Sequence, residues 1–380
     1  MNKCLVTKLS GSVHDSSLLR LGEMRIRLDN VESPTKYTQG IGLDVVKPVQ
    51  LEIIGDGYFT DKTLTQNLGK TKIISSSEGI FVSNCTKIAV LDKYSLRQIT
   101  GYYISGDSTK VYNKNILINI SDLKYSTALT SLDLPNTQSS GDIANLKSLT
   151  ALTSLNLFGT QSSGDIANLK SLTALTSLNL FGTQASGDIA NLKNLTALKY
   201  LNLYNTQASG DIANLKSLTA LTSLNLSNTQ AIGDIANLKS LTALTSLELY
   251  NTQTPIIGNI GELSALTKLT EISCKYSRLN GDLAVLPASC HFASFKNDVG
   301  SVFTWSSRPS TAKIIAIEGN ASITNIDKML QDQAQCQVGF SSSDNLWYKT
   351  ISAVGSRTSA SDDAVAALQH KGYTISIATA

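Results

Sequence analysis

Leu132, Leu155, Leu178, Leu201, Leu224 and Leu247 recur every 23 residues. Self-similarity at such a period means stacked units rather than one globular core. A nearly fixed phrase runs between these leucines, of which LNLFGTQASGDIANLKNLTALKY, from Leu178 to Tyr200, is one copy. Leu178 and Leu180 alternate with Ser177, Asn179 and Phe181, the pattern of a short strand with one apolar face. Ile189, Leu192, Leu195 and Leu198 follow at intervals of three, which predicts a return through a helical or 3₁₀ segment. One unit offers too few aliphatic side chains to offset the entropy of ordering itself. Stacking supplies the difference, through shared cores and a parallel sheet paired along the stack.

Written as a pattern, the phrase is L-x-L-x-x-T-Q-x-x-G-D-I-x-x-L-x-x-L-x-x-L. It resembles the leucine-rich-repeat family, with Thr where the commoner repeat carries Asn, and its G-D-I element looks like the G-x-I of the plant-type subclass. Five consecutive units of 23 residues precede a sixth lengthened by two residues at Thr254-Pro255. The pattern fades at both ends. Ile120 to Thr130 fits the second half of a unit whose strand, expected near Val111, has degenerated. Ile272 to Leu286 keeps the spacing, with Cys274 in a leucine slot and Gly281-Asp282-Leu283 in place of G-D-I. The resemblance covers residues 109–290 and is similar to that of leucine-rich-repeat proteins of gut anaerobic bacteria and their phages. It implies an α/β solenoid, a right-handed superhelix with a parallel sheet, whose role is recognition.

The flanks read as closures. Residues 1–105 are expected to form a β-rich N-terminal domain, residues 106–290 the solenoid, and residues 291–380 a βαβαβ C-terminal cap. In GEMRIRL, Met24, Ile26 and Leu28 are expected to point inward and Glu23, Arg25 and Arg27 outward. Further strands are predicted at Val49–Ile54, Lys72–Ile74 and Ile88–Leu91, with a turn at Gly55-Asp56-Gly57. In the cap, strands are predicted at Lys313–Ile317, Ile351–Val354 and Thr374–Ile377. Two helices are expected between them, opened by Thr324-x-x-Asp327, as a capping box, and by Ser359-x-x-Asp362.

Composition excludes more than it assigns. A formal charge of +3 over 380 residues argues against nucleic-acid or anionic-membrane partners. No apolar run is long enough to span a membrane. Met1 to Leu21 lacks an apolar core and a small-residue cleavage site, so a protein made and kept in the cytoplasm, or carried in a virion, is expected. The 5 cysteines include no C-x-x-C pair and read as free, mostly buried thiols. His14, His291 and His370 lie in different regions, and Cys290-His291 would point to opposite faces of a strand. Asn67 to Thr71 ends like a phosphate-binding loop, but Leu64 stands where its first glycine is needed. No catalytic residue, cofactor or metal site is expected. The column Asp142, Asp165, Asp188, Asp211 and Asp234 offers one carboxylate per turn, too few for Ca²⁺. Each is expected to cap the next turn and share charge with Lys147, Lys170, Lys193, Lys216 and Lys239.

The outward strand positions remain as the candidate site. One file carries Pro135, Phe158, Phe181, Tyr204, Ser227 and Tyr250; another carries Asp133, Asn156, Asn179, Asn202, Asn225 and Glu248. Rings beside amides suit stacking on sugars or gripping a protein, and equally suit ladders that only stabilise the stack. Because these positions barely vary, a repetitive target such as a glycan polymer fits better than a unique epitope. A virion tail, fibre or decoration component is one setting, with the N-terminal region for attachment and self-association. A surface adhesin-like protein or an intracellular adaptor is the other.

Overall fold

The computed structural model describes backbone strands between residues 24 and 112, then residues 116–252, 256–295, 302–340 and 349–379. The chain packs as two units, Met1–Ala185 and Ser186–Ala380.

In the first unit, the strands Ser131–Asp133, Ser154–Asn156 and Ser177–Asn179 pair in parallel with Leu132 opposite Leu155 and Leu155 opposite Leu178. Strand alternation sends Leu132, Leu134, Leu155, Leu157, Leu178 and Leu180 fully inside. The chain then turns through a left-handed residue, Asn136 (φ 54°), Gly159 (φ 65°) or Gly182 (φ 66°). The threonine that follows is buried, and its hydroxyl donates to a turn carbonyl, from Thr137 to Leu134 at 2.9 Å and from Thr160 to Leu157 at 2.8 Å. A second strand comes next. Ser140–Asp142 pairs in parallel with Gln161–Asp165, giving a second small sheet that the leucine pattern did not announce. The return is a 3₁₀ turn at Ile143–Leu146 and at Ile166–Leu169. Apolar residues three apart eclipse on a 3₁₀ helix, so Ile166 and Leu169 both reach the core.

The strand that continues the repeat sheet upstream is Leu96–Thr100, with Ile99 opposite Leu132, and not a segment near Val111 as expected. Lys110–Tyr112 instead forms an antiparallel pair with Tyr102–Ile104. The preceding strands are antiparallel: Met24–Leu28 pairs with Lys87–Val90, which also pairs with Val49–Ile54, itself paired with Thr71–Ile74. Gln39–Val45 then joins Leu96–Thr100 to Glu78–Ser83. The side-chain directions of Met24, Ile26 and Leu28, the Gly55-Asp56 turn, Asn67 to Lys70, Cys4 and Cys85 lie outside the described residues.

The second unit repeats the plan. Tyr200–Asn202, Ser223–Asn225, Ser246–Glu248, Glu271–Ser273 and Phe292–Ser294 are successive parallel neighbours. Ser223 pairs with Ser246, 23 positions on, whereas Ser246 pairs with Glu271, 25 positions on; the two extra residues leave the register intact. Ala316–Ile323, Thr350–Val354 and Thr374–Ala378 extend the same sheet, interleaved with helices α1 (Ile326–Gln335) and α2 (Asp362–His370).

Both helices begin where expected, but their capping residues need correction. Thr324 does not cap α1; Asn325 stands at that position with φ 60° and no side-chain capping bond. Asp327 turns away to accept from the Thr358 N–H at 3.0 Å and from the hydroxyls of Thr358 and Ser361 at 2.6 Å each. The start of α1 is thereby tied to the start of α2. Thr358, not Ser359, caps the 3₁₀ turn that leads into α2. The strand expected at Lys313–Ile317 begins instead at Ala316. Arg308, only 4% exposed, closes the repeat core by donating to the carbonyls of Ala284, Leu286, Pro287, Cys290 and Lys313. Among the described residues, no helix is long and apolar enough to cross a membrane.

Candidate functional site

The outward asparagines serve the backbone first. Asn156, Asn179, Asn202 and Asn225 each accept, through Oδ1, the N–H two residues on: Phe158 at 3.1 Å, Phe181 at 3.2 Å, Tyr204 at 2.9 Å and Ser227 at 3.0 Å. Three of the amide groups are also engaged. Asn156 donates to Asp133 at 2.8 Å, Asn202 to the Tyr200 hydroxyl at 3.0 Å, and Asn225 to Glu248 at 2.9 Å. This file holds the strand ends in shape.

The rings pair within each unit. Phe158 and Phe181 lie 4.5 Å apart between centroids, tilted by 31°. Tyr204 and Tyr250 lie 5.8 Å apart at 52°. In the intervening repeat Ser227 is fully buried, and its hydroxyl accepts the Tyr250 N–H at 3.1 Å. Burial, a hydrogen bond with Tyr204 and the charges of Tyr204 and Glu248 hold the Tyr250 phenol well above its ordinary pKa. All four rings remain half-exposed, as apolar surface on the strand side.

Downstream the same face changes character. A cavity of about 360 Å³ lies over Ser246–Glu248 and Glu271–Ser273, bounded by Lys275, Phe292, Ser294 and Glu318. The Lys275 ammonium lies 2.6 Å from Glu318, which also accepts from the Ser294 hydroxyl. The Glu248 carboxyl is pushed above the usual carboxylate range by burial and by the charge of Glu271, against the opposing Asn225 hydrogen bond. Sequence reasoning placed Glu248 in the amide file but passed over Glu271, Lys275 and Glu318. The signal was available in the breaks of the pattern. Glu271 stands where most repeats carry Ser, and Lys275 where they carry a ring.

The aspartate column is structural. Asp142, Asp165, Asp188, Asp211 and Asp234 each accept, through Oδ1, the N–H two residues on, at 2.7–2.9 Å. The expected sharing of charge with the lysine column is not observed; among the described residues no aspartate of the column pairs with its lysines, and Lys239 pairs with Glu262 at 3.4 Å. No group of three His, Cys, Asp or Glu side chains among the described residues is placed to hold a metal ion. Cys274, Cys290 and Cys336 are buried free thiols, and burial pushes Cys290 up to about 12.

No family model and no curated protein matches the chain. Solved structures do. An internalin from Listeria monocytogenes shares 21% identity over 69% of this chain and 72% of its own, with a TM-score of 0.49. The leucine-rich-repeat ectodomain of the receptor kinase GASSHO1/SCHENGEN3 from Arabidopsis thaliana shares 20% over 57% of this chain, with a TM-score of 0.43. That of the Arabidopsis receptor kinase HAESA shares 19% over 62%, with a TM-score of 0.44. The chain spans 33% and 55% of the lengths of these two ectodomains. The chain's own 23-residue period, its in-register parallel strands and its fully buried leucine columns establish the fold: it is a leucine-rich-repeat solenoid.

Proposed function

We propose that this chain is a non-catalytic recognition scaffold that binds a protein partner across the outward side of its repeat strands. The observation that carries the reading is the placement, within the second unit, of the half-exposed Tyr204–Tyr250 ring pair and a charged cavity on the outward side of the repeat strands. Aromatic side chains supply contact area at low entropic cost and anchor protein interfaces. Sugar recognition would ask the neighbouring amides for hydrogen bonds, and those amides are largely engaged within the fold. A repetitive glycan is the second reading, favoured by the near-uniform outward positions.

In the finer picture, residues 1–105 attach the protein, residues 106–290 display the surface and residues 291–380 close its core. The setting we propose is a virion tail, fibre or decoration component; a bacterial surface or adaptor role is the rival. A photo-crosslinking amino acid at Tyr204 tests the surface, with the same group at the exposed Gln207 of the second sheet as control. Partner adducts from position 204 alone support the reading. Adducts from position 207 alone would move recognition to the other side of the repeat.

A further inference from the structure

We infer that the cavity over Ser246–Glu248 and Glu271–Ser273 receives an arginine side chain from a basic segment of the partner. This rests on the strand side being the recognition surface, and adds the chemistry of the residue recognised. The cavity's wall carries the carboxyl groups of Glu248, Glu271 and Glu318 against the single ammonium of Lys275, three acidic groups to one basic. Lys275 is already held by Glu318, which Ser294 also engages. Among the described residues neither Glu248 nor Glu271 has a cationic partner. Glu271 stands close enough to Glu248 to oppose its ionisation on a partly buried face, and a cation placed between them would relieve that.

The shape of the site selects the cation. The acidic groups do not converge on a point that could hold a metal ion. A guanidinium spreads five donors over a plane, so it can satisfy separated carboxylates at once, and it stacks on a ring such as Phe292 at the cavity wall. An ammonium, a compact point charge, would serve one carboxylate at a time. The acidity is also local. In the first unit, the outward strand positions are Ser131, Asp133, Ser154, Asn156, Ser177 and Asn179, with one carboxylate among them, and that one accepts from Asn156.

The experiment titrates labelled hexa-arginine into the full chain by fluorescence anisotropy at low and moderate salt, beside the neutral isostere hexacitrulline and hexalysine. Hexa-arginine is expected to bind, hexalysine more weakly and hexacitrulline not measurably. Glu271→Gln should weaken hexa-arginine at least about tenfold. Asp165→Asn removes one charge elsewhere and keeps a capping oxygen, so it should change binding less than about twofold. Glu248→Gln, which retains an acceptor for Asn225, serves as the second variant should Glu271→Gln fail to fold. Equal losses in Glu271→Gln and Asp165→Asn, equal binding of hexacitrulline, or no binding of hexa-arginine would each overturn the assignment. So would displacement of the peptide by calcium chloride at constant ionic strength, which would make the carboxylates a metal site. If position 204 crosslinks a partner whose affinity ignores Glu271→Gln, the arginine assignment falls while the recognition surface stands.

Discussion

A Cβ built on Gly164 would lie 2.1 Å from Oδ1 of Asp142 in the preceding repeat. The Gly-Asp pair is therefore one device: the glycine, at φ 114°, leaves room for the carboxylate that caps the turn before it. The same contact recurs at Gly210 against Asp188 and at Gly233 against Asp211. Gly164→Ala should lower stability by at least about 2 kcal/mol, from left-handed strain plus overpacking. Asp142→Ala, which loses only the cap, should cost about 1 kcal/mol. Urea titration of both variants checks the order. An alanine at 164 that melts like the parent would refute the close approach.

The aspartate column should be indifferent to chelation. Each carboxylate already accepts a backbone N–H, so EDTA should leave Tm unchanged. A fall of several degrees restored by calcium would make the column a metal site after all.

Leu178 has 0% exposure in the first unit. Leu178→Asp places a carboxylate among leucines with nothing to pair it, at a cost of several kcal/mol. Because neighbouring repeats share one core, circular dichroism should show loss of more than a single unit's signal. A parent-like melt would contradict the inward assignment.

Glu248 gives a pH-dependent prediction with a definite sign. Its folded-state pKa is raised by burial and by Glu271, so the folded chain binds more protons than the unfolded one once pH exceeds the ordinary carboxylate value. Stability therefore falls as pH rises through that window. Glu248→Gln removes the ionisation and keeps an acceptor for Asn225. Its urea midpoint relative to the parent should rise between about pH 4 and about pH 7. A difference that stayed flat, or fell, would place Glu248 in an unstrained setting.

The leucine columns were legible because their period is geometric: only inward residues must match from unit to unit. The second sheet was not. Its strands bury little more than one small side chain each, Ser162 or Ala208, and Gly-Asp reads as turn chemistry. Thr324 looked like a helix cap, but a local motif cannot reveal that Asp327 is claimed by Thr358 and Ser361, more than thirty residues away. The strand expected near Val111 was displaced for a similar reason. Leu96–Thr100 is delivered to the repeat sheet by antiparallel pairing with Gln39–Val45. At the candidate site, the rings were legible from their register. The cavity was not, because Glu318 lies on a cap strand, 47 positions beyond Glu271.

The most direct test of recognition through the strand side is the double change Phe181→Ser with Tyr204→Ser, read by circular dichroism and by binding to the crosslinked partner or to host cells. Ser227 fills the equivalent slot natively, so the fold should survive. With one ring removed from each pair, binding should fall at least about tenfold, or about 1.4 kcal/mol. Unchanged binding by an intact fold would contradict the account and reduce the rings to a ladder that only stabilises the stack.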